Sequence, residues 1–103
     1  MRLQSMAFAL AATAGLPAAA QTQEALYVKS LAATCANCHG TDGKAVSGSS
    51  VPPLAGLPRD YLVAQLKAFK DGSRPATIMH QLSKGYSDAQ IEQIAGYFSS
   101  VKK

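Results

Sequence analysis

Apolar residues recur along this chain at helical spacing, and they mark out three helices. Val28, Leu31, Ala32 and Cys35 fall at i, i+3, i+4 and i+7, which predicts a first helix over residues 24–34 with one apolar face. Leu62, Leu66 and Phe69 give a second stripe; that helix is expected to start near Pro58, with Asp60 at its positive end, and to stop at Gly72. Ile91, Ile94, Ala95, Phe98 and Val101 form the buried face of a third helix opening at Ser87. Ser87-Asp88-Ala89-Gln90 fits a capping box, and Lys102 and Lys103 fall at the negative end. Between the first two helices, residues 44–58 are rich in Gly, Ser and Pro and are expected to be a loop. The segment between the second and third helices, which holds Met79, is also expected to be loop-like. Nothing reads as a run of strands, so the fold class is all-α.

A further apolar stretch has a different meaning. Arg2, then Met6 to Leu16, then Pro17-Ala18-Ala19-Ala20 is the layout of an export signal, with cleavage expected after Ala20. The run is too short to span a membrane, and Pro17 interrupts it; an uncleaved tether is the alternative. The expected division is a signal peptide at 1–20 and one small domain at 21–103. No stable membrane insertion is expected after cleavage.

The 103 residues carry ten Lys and Arg against six Asp and Glu, and loss of Arg2 with the leader leaves a charge of +3. No basic run is dense enough to suggest nucleic acid. Lys29, Lys44, Lys67, Lys70 and Lys84 are scattered; they are either solvated surface or a basic rim that steers an acidic partner.

The chemistry is concentrated in Cys35-Ala36-Asn37-Cys38-His39. Cys-x-x-Cys-His is the attachment signature of a c-type haem: each thiol adds across one vinyl group, and the adjacent imidazole is carried to the iron. The chain has two cysteines, both here, so no thiol remains for a disulfide framework or a four-cysteine zinc site. A dithiol redox pair would want a βαβ context, and a zinc site would want four ligands. One haem c is therefore expected, covalently attached through Cys35 and Cys38, with His39 as an axial ligand. In so small a domain it would be much of the core. Met79 is the one methionine after the leader. Its soft, neutral thioether suits the sixth position and raises the reduction potential relative to more basic ligands. His80 is the competing ligand.

These features together resemble a small class I cytochrome c: Cys35 to His39, the Gly40-Thr41-Asp42-Gly43 after it, a single late methionine and a final amphipathic helix. The resemblance implies three main helices and loops wrapped around one covalent haem. Val51-Pro52-Pro53-Leu54-Ala55-Gly56, Tyr61-Leu62, Gln65-Leu66 and Phe69-Lys70 resemble the cytochrome c4 and c553 group. Gly72-Ser73-Arg74-Pro75-Ala76-Thr77-Ile78-Met79 and Lys84-Gly85-Tyr86-Ser87-Asp88 look most like the monohaem cytochrome subunit of flavocytochrome c sulfide dehydrogenase. That likeness implies that the Pro52 carbonyl, or Pro53 in a shifted register, accepts the second ring N–H of His39. It makes Tyr61, Gln65 and Arg74 candidates for a haem propionate, and Leu66, Phe69 and Ile78 packing around the haem. It places Tyr97 and Phe98 where the last helix crosses the first, although Tyr27 stands where a small residue is common. The function it implies is one-electron transfer in the periplasm, from an FAD-containing sulfide dehydrogenase subunit. The chain itself is not expected to be an enzyme. The alternatives are a freely diffusing carrier and a haem enzyme or gas sensor with a labile sixth ligand.

Overall fold

The computed structural model describes residues 11, 12, 15 and 21–103; the expected signal peptide lies almost wholly outside the described residues. Five helices follow in order: α1 (Gln23–Ala33), α2 (Ala36–His39), α3 (Arg59–Asp71), α4 (Met79–Lys84) and α5 (Asp88–Ser100). A single 3-10 turn, Thr41–Gly43, follows α2. Among the described residues there is no strand, and no helix is long and apolar enough to cross a membrane.

Local chemistry explains the ends of the three long helices. Thr22 caps α1 by accepting from the Ala25 N–H at 3.0 Å. Pro58 stands just before α3 and Gly72 closes it in the left-handed region at φ 85°. Ser87 and Gln90 form the expected capping box on α5: the Gln90 N–H donates to Ser87 Oγ at 3.1 Å, and the Ser87 N–H donates to Gln90 Oε1 at 2.9 Å. The helix ends at Ser100, so Lys102 and Lys103 lie past it.

One expectation needs correction. The segment around Met79 is helical, because Met79 opens α4. This helix has no side-chain cap at Ile78, and the Leu82 and Ser83 carbonyls are taken by the Gly85 and Tyr86 N–H groups. Such a helix is too short to be stable alone. It is held against α3.

α5 is the central element and packs on both α1 and α3. Ala32, Leu62, Ile94, Ala95 and Phe98 form the core cluster, and Ile91 is also fully buried. Each of the larger side chains contributes about 1.5–3 kcal/mol by leaving water. The small residue of α1 in this core is Ala32, five residues beyond Tyr27. Tyr27 instead lies beside the first turn of α5, where its hydroxyl accepts from Gln90 Nε2 at 2.8 Å. Tyr97 and Phe98 meet edge to face with ring centres 5.4 Å apart.

Candidate haem site

The three motif side chains occupy one helical turn. The His39 N–H donates to the Cys35 carbonyl at 2.9 Å and the Cys38 N–H to the same carbonyl at 3.3 Å. Positions i, i+3 and i+4 of a helix share a face, so both thiols and the imidazole are presented together. Cys35 is half-buried, Cys38 exposed and His39 9% exposed. Burial pushes the Cys35 thiol above its ordinary value; the Thr34 hydroxyl partly offsets this, and Cys38 adds to it. A redox-active or metal-sensing thiol is tuned the other way, toward thiolate.

The histidine is oriented by a backbone carbonyl. His39 Nδ1 lies 2.7 Å from the Pro52 carbonyl oxygen. A carbonyl only accepts, so Nδ1 carries the proton and donates it. Nε2 is left with a lone pair, as a ligand to iron requires. The loop register falls on Pro52, not Pro53.

Gly43 sets that register. Its carbonyl accepts from the Leu54 N–H at 2.8 Å and from the Ala55 N–H at 3.1 Å, and the Gly56 N–H donates to the Phe98 carbonyl at 2.8 Å. The proline loop is thus fastened at one end to the turn after the motif and at the other to α5. Gly43 has φ +72°, and a Cβ there would lie 2.8 Å from Phe98 Cδ1 and 2.9 Å from both Ala55 N and Leu54 Cβ. Gly40, at φ +85°, is as constrained: a Cβ would sit 2.0 Å from the Lys44 carbonyl oxygen. Between them Asp42 also takes positive φ, 55°, and its carboxylate accepts from the Tyr97 hydroxyl at 2.6 Å.

Met79 is half-buried at the first position of α4. His80 follows it on the helix, about 100° around the axis, with a buried Nδ1 that has no partner. It lines a surface groove with Asp71, Arg74 and Lys84. Gln65 and Arg74 are brought together: Arg74 Nη1 donates to Gln65 Oε1, and its guanidinium lies 4.6 Å over the Phe69 ring. Leu66 packs half-buried against the core cluster, whereas Tyr61 and Ile78 are 49% and 55% exposed.

The lysines do not all face outward freely. Lys70 Nζ donates to the Tyr86 carbonyl at 2.7 Å and lies 3.4 Å from Asp88, while Lys67 and Arg59 both approach Glu92. These pairs fasten α3 to α5. Sequence reasoning also missed the contact of Thr34 with Tyr86, 52 residues apart, and that of Asp42 with Tyr97, 55 apart. No local pattern signals either.

The donor set fits a haem. Two free thiols and one correctly protonated imidazole share a turn. Among the described residues, no three His, Cys, Asp or Glu side chains gather to hold a bare metal ion.

Comparison with known proteins agrees. A cytochrome c family model matches residues 25–102. The chain is 42% identical over 73 residues to the cytochrome subunit of sulfide dehydrogenase from Chlorobaculum tepidum, covering 71% of this chain and 64% of that protein. It is 42% identical over 71 residues to a thiosulfate dehydrogenase electron acceptor of Thiomonas intermedia, covering 69% of this chain and 33% of that one. Cytochrome c-554(548) of Halomonas halodenitrificans is 41% identical over 70 residues, covering 65% of this chain and 83% of the relative. The chain therefore spans about two thirds of the first of these relatives and one third of the second. Among solved structures, a cytochrome c4 of Acidithiobacillus ferrooxidans matches with a TM-score of 0.61 at 39% identity, over 65% of this chain and 38% of that one. The chain is a member of the cytochrome c family, an electron carrier of the class I fold whose haem c is attached covalently through Cys35 and Cys38.

Proposed function

We propose that this protein is a periplasmic one-electron carrier whose iron is held axially by His39 and Met79. It would serve as the cytochrome subunit that accepts electrons from the FAD subunit of a sulfide dehydrogenase. The observation that carries the His39 assignment is the 2.7 Å contact of its Nδ1 with Pro52, which leaves Nε2 as the free donor; Met79 is proposed because it is the one methionine after the leader pattern. The haem supplies the electron-accepting orbital. The residues supply the rest. Pro52 fixes the imidazole plane and strengthens its donation to the metal. Met79 would be the second residue to hold the group, and its thioether would exclude small molecules from the metal and favour electron transfer over catalysis. The leader pattern supports export, which suits a cofactor joined to the apoprotein outside the cytoplasm.

The axial pair is tested with Met79→Ala. The oxidised variant is expected to lose the sulfur-to-iron charge-transfer band; an unchanged spectrum would favour a different sixth ligand. Support for the partner comes from the Chlorobaculum relative and from the run Gly72 to Asp88. Its test is isolation of the native protein, with copurification of a yellow flavoprotein that survives mild salt and dilution as the expected result. A second reading, a freely diffusing carrier, is favoured by the Halomonas cytochrome, 83% of which the match covers. A clean monomer without flavin would select that reading.

A further inference from the structure

Tyr86 stands at a junction that neither haem attachment nor core packing requires of it. The Thr34 hydroxyl has one hydrogen, and the Leu31 carbonyl lies 2.7 Å away to accept it. The Tyr86 hydroxyl, 2.5 Å from the same Thr34 oxygen, is therefore the donor in that contact. Thr34 immediately precedes Cys35, and its oxygen lies 3.9 Å from the Cys35 sulfur. The backbone of Tyr86 reaches the other way. Its N–H donates to the Ser83 carbonyl in α4 at 3.2 Å, and its carbonyl accepts from Lys70 on α3 at 2.7 Å. The ring packs half-buried on the core cluster.

From these contacts we infer that Tyr86 is a positioning residue, a clamp between the turn that carries Cys35 and the helix that carries Met79. The inference rests on the Met79 ligand assignment. α4 has six residues and no side-chain cap at its start, so its position depends on outside contacts. A phenylalanine would pack as the ring packs. The hydroxyl is what ties the turn that closes α4 to the attachment turn, and so restrains the helix that carries Met79.

The test uses oxidised holoprotein titrated with imidazole, which competes with Met79 for iron, followed through the shift of the main haem absorption band, a signal that every variant retains. Removing one hydrogen bond from the closed state raises the open fraction and lowers the apparent Kd by about fivefold. Tyr86→Phe and Thr34→Val are each expected to show this, and the double variant no more than either alone. Thr22→Ala removes a helix cap at the far end of α1 and destabilises by a similar amount; it is expected to leave the imidazole Kd unchanged. The clamp is overturned if Tyr86→Phe matches wild type, or if Thr22→Ala tightens imidazole as much. Met79→Ala separates the two failures. If it binds imidazole no better than wild type, the ligand assignment falls and the clamp with it. If it binds better while Tyr86→Phe does not, the clamp alone falls.

Discussion

Replacing Gly43 by alanine isolates the contact that sets the proline loop. Two costs add. The left-handed backbone at φ +72° is worth roughly 1–2 kcal/mol against an L side chain. The new Cβ would also stand within 2.9 Å of Phe98 Cδ1, Ala55 N and Leu54 Cβ, all of them packed or backbone atoms. Overpacking of that kind costs about 1–3 kcal/mol. Gly48 is the control, with φ +82° and nothing within 4 Å of its added Cβ, so Gly48→Ala carries the backbone cost alone. The difference between the two variants is then about 1–3 kcal/mol, or roughly 5–20 °C in Tm for a domain this small. Denaturant unfolding of both holoproteins measures it. A second readout is independent of stability. Displacing the 52–55 loop weakens the Pro52 contact, makes His39 a poorer donor and raises the reduction potential; Gly48→Ala leaves the potential unchanged. Equal losses in the two variants, or equal potentials, would refute the steric account of the loop register.

Three other outcomes follow from contacts away from the iron. Tyr97 has a pKa raised above its ordinary value near 10, chiefly because its hydroxyl donates to Asp42. A folded pKa above the unfolded one contributes stability that is fully present below pH 10 and lost as pH rises through the folded value. The stability gap between wild type and Tyr97→Phe should therefore be constant from pH 7 to 9 and shrink in urea melts above pH 10. Ser87→Ala should cost about 1 kcal/mol, read from the urea midpoint, because the Gln90 N–H loses its cap. Glu92→Gln should cost less than about 1 kcal/mol in the same assay, since the Arg59 pair, at 2.8 Å, is largely exposed.

What could be read from the sequence was local. The attachment motif is a spacing, the three long helices are periodicities, and the Ser87 box and the Gly72 stop are single-residue rules. The Pro52 role came from likeness to a family, and the geometry places its carbonyl on His39. α4 was missed because six residues with no side-chain cap carry no helical signature; α3 holds them in place. Lys67 and Lys70 looked like scattered surface because their partners, Glu92, Asp88 and the Tyr86 carbonyl, lie outside their own helix. The same is true of Tyr86 with Thr34 and Tyr97 with Asp42. Contacts across more than fifty residues are properties of the fold.

The clustering of Cys35, Cys38 and His39 within one turn also orders events in time. Those groups are complete within five consecutive residues, whereas the Pro52 contact spans 13 and the Tyr86 contact 52. Short loops close first and at the least entropic cost. Attachment can therefore precede folding, since the pentapeptide alone supplies both thiols and the imidazole. Once joined, the cofactor would be the surface on which the longer loops close, and the proposed ligand Met79, 40 residues downstream of His39, would be the later of the two to reach it.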